Sequence, residues 1–136
     1  MPNLDVHAIQ PSEFENLWMV YERLLSFDDK LQPVAQLADT WDVGTDCKRI
    51  RLTLRKGVQW HSGREFTSDD VKYNLLRVRD RTVGAGTFAA QSMWFTNIDT
   101  PDKNTVVLTS DQPRPLVYDF LANFNMVDKA TLEAGM

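Results

Sequence analysis

The alternation of apolar and polar residues is clearest in the segment Arg49–Arg55. Ile50, Leu52 and Leu54 fall on one face, and the three arginines and one threonine between and beside them fall on the other. A period of two predicts a β-strand with one buried face. Gly57 interrupts this alternation, so the strand is expected to end just before it.

The next segment predicts a turn followed by the start of a helix. Residues 61–63 are expected to turn because Gly63 adopts a positive φ at no steric cost. Thr67 with Asp70 three residues later is a capping signature, and acidic residues suit the positive end of a helix dipole. A helix is therefore predicted over about Ser68–Asp80.

The periodicity of the remaining chain predicts a mixed α and β architecture. A helix is expected from Ser12 through Leu25, where apolar residues recur at helical spacing, and another from Pro115 onward. Further strands are predicted at Thr40–Val43, Asn97–Asp99 and Thr105–Ser110, with a loop at Thr82–Gln91 and a weakly patterned tail at Met126–Met136. The expected fold class is α+β, a small twisted antiparallel sheet with helices packed on it, in one domain spanning residues 1–136.

Composition narrows the classes of protein that fit. The net charge of −4 argues against a nucleic-acid-binding protein, which is normally basic. No apolar run approaches the roughly 18 residues of a membrane span. The first ten residues lack the basic start and apolar stretch of a signal peptide, so an exported parent protein is expected to carry that peptide outside this sequence.

Patterns for catalysis or metal binding are weak. A metal ion could recruit His7 and His61 with Asp69 or Asp70, but no metal-ligand spacing is present, and His61 is better interpreted as a turn residue. Adjacent carboxylates point in different directions on a helix, so capping explains them better than acid–base catalysis. Ser62 lies beside His61 but outside a nucleophile elbow. We therefore predict no catalytic residue, no metal and no cofactor.

Two other polar features have ordinary structural interpretations. Cys47, the single cysteine, excludes an internal disulfide and is expected to be an exposed turn residue. A basic stripe surrounds the predicted strand: Lys48, Arg49, Arg51, Arg55 and Lys56. This stripe could contact phosphate. The negative net charge of the whole chain and the lack of interleaved aromatic residues instead favour a strand face exposed to solvent.

A cluster of aromatic and sulfur-containing residues is the best candidate for ligand contact. Phe88, Met93 and Trp94 lie in or beside a glycine-containing loop, with Phe95 next to them. Loops held by a rigid scaffold are frequent ligand sites, although aromatic residues can also simply pin a loop to the core. We predict that Phe88, Met93 and Trp94 contact a ligand.

Read together, several strings resemble motifs of the peptide-binding proteins of ABC importers, solute-binding protein family 5. The family's Y-E-x-L-L string is matched by residues 21–25, YERLL. Its P-x-L-A-x-x-W string is matched by Pro33, Leu37-Ala38 and Trp41, with a longer spacing after the proline.

The segment from residue 52 to residue 71 carries the most specific part of the resemblance. The family's F-x-L-R-x-G-V-x-F-H-x-G stretch corresponds to residues 52–63, LTLRKGVQWHSG, and its F/L-T-A-x-D-V helix start to residues 66–71, FTSDDV. Two positions depart from the family: Val6 replaces the proline of L-D-P-H, and Cys47 replaces the glycine of a D-G pair. The turn at Cys47 is therefore expected to differ.

The resemblance implies a fragment of a two-lobe periplasmic binding protein. The chain is similar to most of the small accessory domain of the first lobe, without the first strand, the second lobe or the hinge. The parent would capture a peptide or related small solute in the periplasm, or outside a cell to whose membrane it is anchored. It would pass that solute to an ABC permease by lobe closure.

The same resemblance sets expectations for this piece of the parent. On its own it is expected to bind nothing, and in the parent to supply packing and one wall of the cleft through residues Gly84–Asn97. Its uncovered apolar surface is expected to promote self-association. An alternative parent is a transcriptional regulator with a ligand-sensing module, which the upstream sequence would distinguish. An enzyme is the least favoured interpretation.

Overall fold

The computed structural model describes residue 7 and residues 21–80, 82–83 and 87–134. The described elements, in chain order, are β1 (Leu25–Phe27), β2 (Pro33–Ala35), β3 (Ala38–Val43), β4 (Arg49–Leu54), α1 (Ser68–Arg77), α2 (Thr87–Ser92), β5 (Asn97–Asp102), β6 (Thr105–Thr109), α3 (Val117–Asn123) and α4 (Lys129–Glu133). None of the helices in these residues is long and apolar enough to cross a membrane.

Four antiparallel strands form the main sheet, in the order β3-β4-β6-β5, while β1 and β2 form a separate hairpin. The alternation predicted for β4 is confirmed: Ile50, Leu52 and Leu54 are buried, and Arg49 and Arg51 are exposed. Strand β6 lies between two neighbours and is buried on both faces. The sheet therefore has β4 and β6 at its centre.

The core lies between this sheet and the helices. Helix α1 packs against β5 and β6, and α3 packs against β1. The buried side chains of one cluster join both helices to the sheet: Val71 and Leu75 from α1, Phe120 and Leu121 from α3, and Leu52, Val106 and Leu108 from the strands. The predicted α+β fold, with helices packed on an antiparallel sheet, is confirmed.

The predicted helix start at Thr67 is also confirmed. Thr67 is the N-cap, and its backbone N–H donates to Asp70 Oδ2 at 2.8 Å, which completes a capping box. The helix ends at Arg77 rather than at Asp80, because the next three residues form turns whose N–H groups bond to carbonyls three or four residues back. A capping box satisfies donors that would otherwise be left without partners at a helix start.

The helix predicted through Leu25 is wrong at its C-terminal end. Arg23 forms an isolated antiparallel bridge with Asn125, and Leu25 begins strand β1 opposite Ala35. The carbonyl of Leu24 accepts from the N–H of Ala38, so pairing with distant segments replaces helical hydrogen bonds. Residues 12–20 of that prediction lie outside the described residues.

Three further boundaries differ from expectation. The predicted loop at 82–91 contains most of α2, and the weakly patterned tail contains α4. Both helices have five or six residues, which is too short for a helical period to be visible. Helix α3 begins at Val117 instead of Pro115, after a turn in which the Val117 N–H donates to the carbonyl of Arg114.

Cys47 occupies an unusual backbone conformation. Its φ is +55°, in the left-handed region that favours glycine, within the turn that joins β3 to β4. The turn is closed by the Cys47 N–H, which donates to the carbonyl of Gly44 at 2.9 Å. The side chain is half-buried, so the expectation of an exposed cysteine is wrong. A residue with a Cβ in this conformation costs roughly 1–2 kcal/mol.

This conformation predicts different stabilities for two substitutions that both remove the thiol. Cys47→Gly should be about 1 kcal/mol more stable than Cys47→Ala, because only alanine keeps a Cβ in the left-handed region. Urea unfolding of both variants measures the difference. Equal stability of the two would contradict a left-handed conformation at residue 47.

Candidate functional site

Two of the three predicted ligand-contact residues, Phe88 and Trp94, pack against the buried ring of Phe120. The Phe88 and Trp94 rings lie 6.3 Å and 6.4 Å from the ring of Phe120, measured between centroids. The guanidinium carbon of Arg114 lies 5.0 Å from the centroid of Trp94, within the range of a cation–π contact. Met93, beside Trp94, is 59% exposed. We call Phe88, Met93, Trp94 and Arg114 the aromatic face.

The aromatic face combines packing with exposure. Phe88 and Trp94 are each half-buried against the core, so their inner edges pin the chain to α3. The exposed Met93 and the outer part of the Trp94 ring are accessible from outside. An apolar surface beside a guanidinium can accept an apolar group and a neighbouring negative charge.

Arg79 fixes the position of Met93 and Trp94. Its Nη2 donates to the carbonyls of Ser92 at 2.6 Å and Phe95 at 2.8 Å, the residues on either side of the pair. Its Nε donates to Ser92 Oγ at 3.1 Å, and that hydroxyl donates to the Leu75 carbonyl of α1 at 2.6 Å. Burial lowers the pKa of Arg79, although a guanidinium stays charged in proteins.

A cleft of about 590 Å³ lies in another part of the molecule. None of the predicted ligand-contact residues lines it. Its described lining is largely apolar, with a few polar side chains: Leu37, Val58, Trp60, Phe66 and Met126 provide apolar surface, and His61, Asp128 and Thr131 are polar. No sequence pattern predicted this cleft, because its described lining residues come from four separate segments.

A cluster of one arginine and two buried carboxylates lies beside the cleft, which Asp128 lines. Arg64 Nη2 contacts Asp70 Oδ1 at 2.5 Å and Asp128 Oδ1 at 2.8 Å, and both carboxylate side chains are only 5% exposed. We call these three residues the Arg64 cluster. The indole Nε1 of Trp60 donates to Asp70 Oδ2 at 3.3 Å. Asp70 therefore caps α1, as predicted, and also holds Arg64, which sequence reasoning missed.

Asp128 is held by several donors. Ser62 Oγ and Thr131 Oγ1 donate to its Oδ2 at 2.6 Å and 3.0 Å, and it is the N-cap of α4. Burial alone would raise the pKa of Asp128, but the hydrogen bonds from Ser62, Arg64 and Thr131 outweigh it and hold the pKa below its ordinary value. The hydrogen bond to Asp70 is the largest influence raising the pKa of Arg64.

The weaker candidates for chemistry are explained by local contacts. Asp69 is exposed and accepts from Thr100 Oγ1, whereas Asp70 is buried, so the two carboxylates do not face a common site. His61 is an exposed turn residue, as expected. His7 stacks on Phe124, and both its ring nitrogens are engaged, one by the carbonyl of Asn125 and the other by Arg77.

The basic stripe is mainly a solvated strand face, as predicted. Its arginines and Lys56 are exposed, Lys48 is half-buried, and Arg55 pairs with Asp39 at 3.1 Å. Within the described part of the chain, no three histidine, cysteine or acidic side chains lie together as a metal site would require.

Residues 32–134 match the family model of the bacterial extracellular solute-binding proteins, family 5 Middle. The chain belongs to this family. The resemblance of residues 52–71 to the family 5 motifs is therefore confirmed. That segment runs from the end of β4 through the turn at residues 61–63 to the start of α1.

Three similar proteins show how much of a longer chain the matched region represents. An ABC transporter peptide-binding protein of Brucella ovis is 32% identical over 118 residues, which cover 85% of this chain and 22% of the relative. AgaA of A. tumefaciens R10, solved with agropinic acid, is 30% identical with a TM-score of 0.75, over 84% of this chain and 23% of AgaA.

The third is the murein tripeptide-binding protein MppA of Escherichia coli, which superposes with a TM-score of 0.85 over 98% of this chain and 30% of MppA, at 23% identity. That likeness shows the fold alone. The chain spans about a fifth of the length of its Brucella relative.

The low pKa of Asp128 predicts how its contribution to stability depends on pH. The carboxylate stabilises the fold above its ordinary pKa of 3.8, and this contribution is lost as the pH falls through its lower folded-state value. Asp128→Asn keeps the side-chain shape and removes the charge, so it should cost about 1–3 kcal/mol at neutral pH.

Urea unfolding of both proteins at neutral pH and near pH 3 measures this, and the difference between them should shrink in acid. A matched control is Glu133→Gln, which removes an exposed carboxylate 3.7 Å from Lys129. That change should cost less than about 0.5 kcal/mol. If Asp128→Asn lowers the free energy of unfolding equally at both pH values, the low pKa of Asp128 in the folded state is contradicted.

Proposed function

We propose that these 136 residues form part of the first lobe of a two-lobe solute-binding protein. The complete protein captures a peptide or a related small solute in the periplasm or outside the membrane and delivers it to an ABC permease. The observation that carries the proposal is family membership over residues 32–134. The 32% identical Brucella relative, named as an ABC transporter peptide-binding protein, supports it.

The solute is enclosed mainly by residues outside this chain. The matched region is 22% of the Brucella relative and 23% of AgaA, so most of the surface around a solute belongs to the rest of such a protein. Binding by closure of two lobes would place this part on one side of the solute, with the other lobe opposite. The chain alone is expected to bind weakly or not at all.

The aromatic face supplies one wall of that site. Met93 is exposed, and Trp94 carries the Arg114 guanidinium on its ring, so this surface offers apolar contact beside a positive charge. A peptide with apolar side chains combines apolar parts with a terminal carboxylate. The hydrogen bonds of Arg79 to Ser92 and Phe95 hold this wall in place before a solute arrives, which lowers the cost of ordering it on binding.

The role is binding without chemical change. The buried carboxylates of Asp70 and Asp128 are both engaged by Arg64, so neither is available as a general base. The acidic net charge of −4 agrees with a small-molecule ligand and argues against nucleic acid.

Binding measurements on the complete protein test this function. Isothermal titration with a panel of di- and tripeptides and with agropinic acid should find a solute that binds. Met93→Ala and Trp94→Ala should each weaken that binding by about threefold to tenfold, because an aromatic or thioether contact is worth about 0.5–1.5 kcal/mol. Phe88→Ala should also weaken it, but its packing on Phe120 requires a parallel unfolding measurement.

A matched control is Leu76→Ala, which truncates an apolar side chain that is 46% exposed on α1. It should leave the affinity unchanged. Unchanged affinity in Met93→Ala and Trp94→Ala would remove the aromatic face from the site, and a complete protein that binds no solute would contradict the function itself.

A further inference from the structure

Arg114 differs from the other half-buried arginines of the described chain in the partners of its guanidinium. Arg23 donates to a backbone carbonyl, Arg77 contacts a histidine ring, and Arg79 donates to two carbonyls. The guanidinium of Arg114 makes no hydrogen bond and no ion pair with a described residue, and its Nε is buried without a partner. Because buried donors are normally paired, this guanidinium has donors available for an acceptor that the described chain does not supply.

The backbone holds Arg114 in position. The residue lies between Pro113 and Pro115, whose rings fix their own φ angles and restrict the residue that precedes each of them. The Arg114 N–H donates to the carbonyl of Cys47 at 2.8 Å, and its carbonyl accepts from Val117, the first residue of α3. A cation that is already fixed in place costs less to order when a ligand binds.

The charges around Arg114 favour an anion. Lys48 and Arg49 line a small depression together with Arg114, and no acidic side chain is among the described residues that line it. None of these three cations forms an ion pair within the described part of the chain. Three unpaired cations in a chain of net charge −4 concentrate positive potential at this place.

We propose that Arg114 binds the carboxylate of the solute and makes the site selective for acids over the corresponding neutral amides. The inference rests on the proposed function, in which the aromatic face is one wall of the solute site. The guanidinium carbon lies 5.0 Å from the centroid of the Trp94 ring. A guanidinium that contacts a ring through its face keeps its N–H edge available for two parallel hydrogen bonds to a carboxylate. Met93 and Trp94 contact the apolar part of the solute beside that carboxylate.

Acid and amide forms of the same peptide test this pairing in the complete native polypeptide. The probes are Ala-Phe and Ala-Ala-Phe, each with a free carboxylate and as the C-terminal amide, measured by isothermal titration. The acids should bind about tenfold to a hundredfold more tightly than the amides, because hydrogen bonds to a charged group contribute a factor of this size. Arg114→Gln should remove most of this preference, by weakening the binding of the acids and not of the amides.

Two further variants separate charge pairing from a loss of structure. Arg114→Lys keeps the charge without the fork of two donors, so it should retain part of the preference for acids. Arg55→Gln is the matched control: it removes an exposed arginine that pairs with Asp39, and the preference should stay unchanged. If Arg114 only supports the Trp94 ring, Arg114→Gln weakens acids and amides equally, which would overturn the proposal. A preference for acids that survives in Arg114→Gln would overturn it as well.

A smaller probe distinguishes failure of this proposal from failure of the function. Phenylacetate and its neutral analogue phenylacetamide both carry a ring, but only the first carries a carboxylate, and saturation-transfer NMR detects weak binding of either. Phenylacetate should bind the complete polypeptide and not Arg114→Gln, and phenylacetamide should bind neither. Phenylacetate binding that depends on Arg114, in a protein that binds none of the peptides, counts against the function alone. Peptide binding without a preference for acids overturns the role of Arg114 alone, and so does phenylacetate binding that Arg114→Gln leaves unchanged.

Discussion

The buried carboxylate of Asp70 is the interaction on which the arrangement of this domain depends. One oxygen accepts from the backbone N–H of Thr67 and so starts α1, and the other accepts from Arg64. Arg64 in turn holds Asp128, the N-cap of α4. A single side chain thus connects the turn before α1, the helix itself and the last described helix. Because both carboxylates are buried, removing one partner would leave an uncompensated charge.

Asn74 extends this connection by one helical turn. It lies four residues after Asp70 on the same face of α1, and its amide bonds to both backbone groups of Val127. The segment at residues 126–128, one wall of the cleft, is therefore fixed to α1 at two successive turns. Because the hydrogen bonds between Asn74 and Val127 are buried, this wall is held firmly against α1.

The aromatic face depends on different contacts. Arg79 bonds to backbone carbonyls on either side of Met93 and Trp94, and Phe120 supports Phe88 and Trp94 from beneath. None of these groups belongs to the Arg64 cluster. The aromatic face and the Arg64 cluster are therefore held by separate sets of contacts within one small domain.

Elements with a clear period could be predicted from the sequence. Strand β4 alternates over six residues, and α1 combines a capping signature with ten residues of helix. Strand β1 could not be predicted in this way, because adjacent leucines at 24 and 25 fit an amphipathic helix as well as a strand buried on both faces. Helices α2 and α4 are too short to show a period, and short helices derive their stability from tertiary contacts that no local pattern reveals.

The charge cluster and the cleft were beyond prediction for a different reason. Arg64 and Asp128 are separated by 64 residues, and nothing near either one identifies the other. The polar Asn74 within an apolar helical stripe was visible in the sequence, and a buried amide implies partners, but its partner is 53 residues away. The family motifs succeeded where periodicity failed because they record a whole arrangement of contacts, and not only the local ones.

Those motifs identify the architecture of the domain and not its solute. Between residues 57 and 71 they supply two glycines with φ of +75° and +86°, an edge-to-face contact of Trp60 with Phe66 at 5.5 Å, and the carboxylate of Asp70. Each of these builds the turn and helix start beside the cleft. AgaA, solved with agropinic acid, and MppA, a murein tripeptide-binding protein, share this fold. Proteins that carry this fold and bind different solutes can keep one such arrangement because its contacts stabilise the domain itself.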